Sequence, residues 1–433
     1  MNEKREELIG VDIHISNGLI KQIRSNIEHR VNSRIIDGSH SIVTPGLINT
    51  HDHLFQSLTK AVPDAQNVSL FEWLKCLYPI WGKMNSDQIF VSTQLGLAEL
   101  AMSGCTFSAD HMYIFKNGTK LDDTIAAAQE LGLRFYPTRG AMSVGISDGG
   151  LPPDNLIENE DSIFADMERV VNKFNQNHDG AMVNVGLAPC SPFSVSKRLM
   201  IETAKLARKL GVGLHTHLAE NEDDLKFSKE MYGCTPGEYI QELEWVGPDV
   251  WHAHCVKLSD KEIEIFKNTS TGVSHCPCSN CRLSSGIAPI SKLLKAGVNV
   301  GLGVDGAASS DSTHLLNEAR QAMLQQRLTK DGMAFSARSA LEIATIGGAQ
   351  VLGRKDVGSI EVGKRADLAM WDLNSFPFAG AWDPVASLIF TGPHYVKNLI
   401  VEGNLVIEDS RFCSIDVKKI INQAKKALDE LIN

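Results

Sequence analysis

Short uninterrupted apolar runs, separated by longer stretches of helical periodicity, fill the middle of this 433-residue sequence. Eight runs lie near residues 45–53, 104–111, 133–139, 183–190, 212–217, 250–255, 271–276 and 298–305. Continuous rather than alternating hydrophobicity suits parallel strands covered by helices. The helices between them carry local stop and start signals. Four are expected to end in a glycine leading into a strand, at Ser103-Gly104, Leu131-Gly132, Leu210-Gly211 and Ala296-Gly297, because glycine adopts the left-handed position that closes a helix. Ser259 with Glu262 reads as a capping box, and Thr235-Pro236 with Glu238 adds proline at the first helical position. Eight strand–helix units predict an α/β fold, a closed (β/α)8 barrel of the TIM type with its active site at the strands' C-terminal ends. An open doubly wound sheet is the alternative, but no Gly-x-Gly-x-x-Gly follows the first strand.

The two chain ends alternate instead. Residues 9–44 read as short strands with a turn at Asn17-Gly18, and residues 358–409 behave likewise with a turn near Glu402-Gly403-Asn404. The expected division is a small β domain from residues 1–44 and 358–433, including a polar helix near 415–432, beside a barrel over residues 45–357.

Composition narrows the function classes. A 43% hydrophobic, 22% charged chain builds a large buried core. A net charge of −10 with no basic block argues against a nucleic-acid partner. No run reaches the roughly 18 apolar residues of a membrane helix, and the first residues lack the apolar stretch of a signal peptide. Nine scattered cysteines read as reduced thiols. The expected location is therefore cytoplasmic, without a membrane partner.

Titratable residues gather at the predicted strand ends: His51-Asp-His53, His215-Thr-His217, His252-Ala-His254, His275 and Asp305. Side chains two apart on a strand share a face, so each His-x-His pair can point into the barrel mouth. Imidazoles with one carboxylate suit zinc or ferrous iron. On the fifth and sixth strands the later residue lies nearer the mouth. His217 and His254 are accordingly assigned to the site, and His215 and His252 one layer deeper. Glu220, three residues beyond His217, is placed either to act as general acid and base or to belong to the acidic loop that follows. Cys276-Pro-Cys278-Ser-Asn-Cys281 matches half of the zinc nucleobase-deaminase signature, but the His-x-Glu or Cys-x-Glu half is absent. Small packed cysteines are the better reading.

The segments Val43–His53, His215–Glu220, Ala253–Cys255, Ser274–Asn280 and Gly301–Gly306, in this order, resemble the amidohydrolase superfamily and its nucleobase-aminohydrolase branch. Within that branch Leu70–Trp81, Leu121–Thr124, Pro137–Gly140, Gly149–Pro153 and Ala188–Val195 most resemble the 8-oxoguanine deaminases, with triazine hydrolases and isoxanthopterin deaminases as neighbours. The isoxanthopterin group lacks a glutamate matching Glu220, and triazine hydrolases can replace the residue matching Asp305. Relatives usually begin with one more strand before the segment matching Leu8–Ile15.

The resemblance implies one divalent metal, Zn2+ with Fe2+ as the alternative, held by His51, His53, His217 and Asp305. The fourth predicted strand has no lysine, the residue that bridges two metals in relatives of this architecture. His254 would orient the attacking water, Asp305 would take its proton and Glu220 would protonate the adjacent ring nitrogen. The implied reaction is hydrolytic deamination of an oxidised purine, 8-oxoguanine to urate and ammonia. Guanine, isoxanthopterin or a hydroxytriazine are the alternative heterocycles, and a non-catalytic barrel scaffold the alternative of another class. Gln56 offers a donor and an acceptor to a lactam edge. Arg139 either binds a carbonyl or forms an ordinary salt bridge. Trp73 and Tyr113 either stack on a planar base or pack in the core. Relatives are often dimeric or larger, so a homo-oligomer is expected.

Overall fold

The computed structural model describes residues 2, 4–28, 32–329, 333 and 335–432. Eight parallel strands close into a barrel: β1 Leu47–Asn49, β2 Cys105–Met112, β3 Arg134–Ala141, β4 Gly186–Pro189, β5 Leu214–Leu218, β6 Val250–His254, β7 Gly272–His275 and β8 Val300–Leu302. Leu302 pairs with Asn49 and closes the ring. Each strand overlaps its predicted run, with β2, β3 and β5 extending one or two residues past the run's end. Gly132 (φ 74°) and Gly211 (φ 68°) cap their helices in the left-handed region, which an L side chain rarely adopts.

Two short 3-10 helices and two α-helices separate β1 from β2. The first α-helix, α1 Leu70–Trp81, buries Leu70, Trp73, Leu74, Leu77 and Tyr78, an i, i+3, i+4, i+7, i+8 stripe that packs one helical face inward. The second, α2 Ser86–Met102, starts with a capping box in which Asn85 and Gln88 exchange side-chain and backbone hydrogen bonds.

The chain ends build an antiparallel sheet in the order Arg411–Phe412, Asn404–Glu408, Asn398–Val401, Leu368–Asp372 and Ser41–Pro45. A hairpin of Asp12–Ser16 and Leu19–Arg24 turns at Asn17 (φ 53°) and Gly18 (φ 72°), and its Ile20 packs on Ala366, Leu368 and Ile400. The C-terminal helix Val417–Ile432 does not lie with this sheet alone. Its buried stripe Ile420, Ala424, Ala427 and Leu431 packs on α2 of the barrel, and Gln88 Nε2 donates to Glu430 Oε2 at 3.4 Å. An amphipathic helix settles on the nearest apolar face rather than on its sequence neighbours.

A buried arginine ties sheet to barrel. Arg134, fully buried at the start of β3, donates through Nε and Nη2 to Asp367 at 2.5 and 3.0 Å and through Nη1 to the carbonyls of Gly180 and Ala181. It also pairs with Glu402. Among the described residues no helix is long and apolar enough to cross a membrane.

Candidate active site

The barrel interior is sealed at one end by Ile48, Phe107, Ala109, Tyr136 and Trp251, packed on Ala349, Val351, Leu352 and Val357. The His215 ring stacks on Trp251, with centroids 4.7 Å apart and planes 19° apart. Its Nδ1–H donates to the Trp251 carbonyl at 2.9 Å, so Nε2 is left as an acceptor. That acceptor lies 2.7 Å from His51 Nδ1, which fixes the His51 tautomer and leaves its Nε2 lone pair directed away. His53 Nδ1–H donates to the His111 carbonyl at 2.7 Å, and His217 Nδ1–H to the Cys190 carbonyl at 2.5 Å. All three rings thus present bare Nε2 atoms, the tautomer that second-layer hydrogen bonds impose on metal-binding histidines.

These atoms converge. His53 Nε2 lies 3.0 Å from His217 Nε2, and Asp305 Oδ1 lies 3.4 Å from His51 Nε2 and 3.2 Å from His53 Nε2. His51 Nε2 is buried without a partner. Lone pairs facing one another at such range repel unless a shared cation sits among them. Bonds of about 2.0–2.2 Å to imidazole and carboxylate give donor separations of this size. His51, His217, His254 and Asp305 also form a group whose ligand atoms all lie within 4.8 Å of one another. The residues present fit a divalent metal, and the groups able to hold one contain no cysteine among the described residues.

Electrostatics match. Burial pushes His51 well below its usual value, lowers His53, and takes His217 down to about 3, so the imidazoles are neutral and ready to bind metal. Burial opposes the charge on Asp305, but His51, His53 and His254 outweigh it and hold the carboxylate well below its usual range. Its other oxygen, Oδ2, accepts from Ser279 Oγ at 2.6 Å and Ser309 Oγ at 2.7 Å.

Glu220 lies across from this group. Burial raises its carboxyl to about 7, with His254 opposing and Asp224 and Asp305 reinforcing the rise. Its Oε2 lies 3.8 Å from His254 Nε2, and its Oε1 accepts from Ser285 Oγ at 3.4 Å. Its backbone N–H donates to Asp224 Oδ2 at 2.8 Å, anchoring the loop. His254 in turn donates from Nδ1 to Asn280 Oδ1 at 3.0 Å. His254 (φ 69°) and Asp305 (φ 60°) both sit in the left-handed region, conformations that cluster at functional sites.

His53, His217, His254, Asp305, Glu220, Gln56, Trp73 and Tyr113 line one cavity, with α1 contributing Leu70, Leu74 and Tyr78 to its wall. Gln56 nests over Gly306, where a Cβ would fall 1.8 Å from its Oε1. Trp73 Nε1 donates to the Ala308 carbonyl at 3.2 Å, and Gln56 Nε2 reaches Tyr113 Oη at 3.5 Å.

Two expectations from the sequence need correction. Arg139 does not reach the cavity. Its Nε donates to Asp166 at 2.7 Å and its Nη2 to Glu158 at 2.8 Å, with the guanidinium 3.7 Å over the Phe115 ring. Asp166 belongs to the helix Glu160–Phe174, so Arg139 faces the helix layer and the salt-bridge reading holds. The second concerns β6, whose two histidines do not share a face. His252 Nε2 donates to the Trp245 carbonyl at 3.0 Å beside Phe266, whereas the left-handed backbone at His254 turns that ring toward the cavity.

The sequence offers no role for Ser279, Ser309, Asn280 or Ser285, since a lone serine or asparagine carries no spacing signal, and Asp224 reads there only as part of an acidic loop. His215 was seen, but its role was not. If it orients His51, His215→Leu should weaken metal affinity about 10- to 100-fold. Chelator competition on the purified protein measures this, and wild-type affinity would reduce His215 to packing.

Comparison with known proteins agrees with this geometry. The sequence pattern of the amidohydrolase family matches residues 42–406. An 8-oxoguanine deaminase from Pseudomonas aeruginosa is 41% identical over 92% of this chain and 89% of its own. An isoxanthopterin deaminase from an unknown prokaryotic organism is 35% identical over 98% and 92%. The structure of the atrazine chlorohydrolase TrzN from Arthrobacter aurescens TC1, complexed with zinc, superposes with a TM-score of 0.94 at 32% identity, covering 99% of this chain and 97% of that one. The chain belongs to the amidohydrolase family, as a hydrolase of C–N bonds built around a divalent-metal site.

Proposed function

We propose that this enzyme hydrolytically deaminates a planar nitrogen heterocycle, and that the substrate is 8-oxoguanine, converted to urate and ammonia. The observation that carries the reading is an acid and a base lining one cavity: Glu220, protonatable up to about pH 7, and the ionised Asp305. Deamination of an amidine carbon needs both, one to supply a proton to the ring nitrogen and one to remove a proton from water.

The residues divide the work as follows. His51, His53, His217 and Asp305 would hold the cation, Zn2+ in preference to Fe2+, in keeping with the zinc-bound relative. Bound there, it supplies the Lewis acidity that makes water nucleophilic near neutral pH. Asp305, aimed by Ser279 and Ser309, accepts the proton of the attacking water. Glu220 donates to the ring nitrogen beside the amine-bearing carbon. His254, braced by Asn280, hydrogen-bonds the water. Ammonia leaves as the carbonyl forms. Gln56 faces the lactam edge, and Trp73 and Tyr113 flank the ring. The 41% identical 8-oxoguanine deaminase supports the substrate, as does the presence of Glu220.

Ammonia release by metal-replete enzyme, measured across 8-oxoguanine, guanine, isoxanthopterin and hydroxyatrazine, tests the reading. The expected kcat/KM is largest for 8-oxoguanine. A tenfold preference for any other compound would reassign the substrate, and metal analysis of the same sample identifies the cation.

A further inference from the structure

Buried polar side-chain atoms are nearly always hydrogen-bonded. Among the described residues that break this rule, two line the cavity: Gln56, through Oε1, and Tyr78, through its hydroxyl. Both side chains are fully buried. Gln56 already has a place in the proposed function. Tyr78 has none, and its hydroxyl has no partner in the protein. An unmade hydrogen bond at a cavity wall costs the fold free energy, so a ligand that completes it is the physical reason to keep it.

Tyr78 sits on α1, which lies outside the barrel strands that carry the metal-binding residues. Its position along the cavity can be read from its neighbours. The Tyr113 ring lies 5.1 Å from the His53 ring and 6.4 Å from the His217 ring, whereas the Tyr78 ring packs at 6.0 Å on Trp81 of its own helix. Tyr78 is therefore the more remote of the two from the histidines proposed to hold the metal. A 2-aminopurine presents its reactive carbon, C2, at one end of its long axis and C8 at the other. With C2 held between Asp305 and Glu220, the C8 end is directed toward the wall farthest from them.

We propose that the Tyr78 hydroxyl donates a hydrogen bond to an oxo group on the end of the substrate remote from the metal, and so selects oxidised over unoxidised purines. The assignment rests on the deaminase reading above. It takes over the carbonyl-binding role for which Arg139 is unsuited by its outward pairing with Asp166 and Glu158. A neutral phenol is a fitting donor here, because burial raises Tyr78 well above its usual value and keeps the proton on oxygen. The neighbouring apolar side chains Leu70, Leu74 and Phe193 offer the oxo group no substitute partner.

The test is Tyr78→Phe, assayed for kcat/KM on 8-oxoguanine and on guanine, with the thermal midpoint recorded alongside. Removing one donor from a buried site costs roughly 5- to 100-fold, so the loss on 8-oxoguanine should exceed the loss on guanine by about that factor. The midpoint should hold or rise, since the deleted hydroxyl makes no bond within the protein. Equal losses on the two purines, or no loss on 8-oxoguanine, would overturn the assignment. So would a lowered midpoint, which would mean the hydroxyl is bonded internally. If the unsubstituted, metal-replete enzyme releases ammonia from neither purine, the purine-substrate reading itself fails, and that result is read before any variant is made.

Discussion

Glu220→Gln should keep its metal, lose activity about 100- to 10,000-fold and become more stable above neutral pH. The glutamine preserves the shape of the side chain and its contact with Ser285 but cannot deliver a proton, and a positioned general acid contributes a factor of that size. Burial sets the pH dependence. With the carboxyl titrating at about 7, the wild-type kcat should fall as pH rises through that value, because the donating form disappears. The variant's residual rate should lack this alkaline limb. The stability sign follows from the same shift. A carboxyl raised from 4.5 to about 7 by folding contributes fully below the lower value and loses that contribution as pH rises through the upper one. Its charged form then costs about 3 kcal/mol, which glutamine removes. Turnover within a few-fold of wild type, with metal content confirmed, would dismiss Glu220 as the proton donor. An unchanged stability profile would show that its carboxyl is better solvated than its 5% exposure implies.

The second large effect concerns the tie between sheet and barrel. Arg134→Ala should destabilise the enzyme by about 3–5 kcal/mol, since truncating one partner strands the buried Asp367 carboxylate. Asp367 would keep only the backbone N–H of Glu402, at 2.8 Å. For a chain of this length such a change lowers the thermal midpoint by roughly 3–6 °C. Arg134→Met combined with Asp367→Leu should recover part of the loss, because no buried charge is then left alone. A single variant within about 1 kcal/mol of wild type in denaturant titration would contradict this account. The residues proposed to hold the metal lie at the opposite end of the barrel strands, so metal affinity should change little in either variant.

Much of the architecture follows from local pattern. Strand runs, glycine helix ends at Gly132 and Gly211, and the capping box at Ser259 are each decided by neighbours a few residues away. The chemical cluster is legible for a related reason. His51, His53, His217 and Asp305 sit at strand ends, and a closed parallel barrel delivers all strand ends to one mouth. Arg139 also ends a strand, but its direction depends on where alternation stands relative to the barrel wall, which one strand cannot report. Alternation itself fails at His254, whose own left-handed backbone (φ 69°) turns its ring away from the face that His252 takes.

The sequence by itself determined which segments become strands and which residue types crowd the barrel mouth, because both depend on short-range periodicity and chain order. Only the tertiary structure decided what each group touches: His215 against His51 across 164 positions, Ser279 and Ser309 on Asp305, the C-terminal helix on α2, and Tyr78 left without a partner. Hydrogen bonds act over about 3 Å of space, and separation along the chain does not encode that distance.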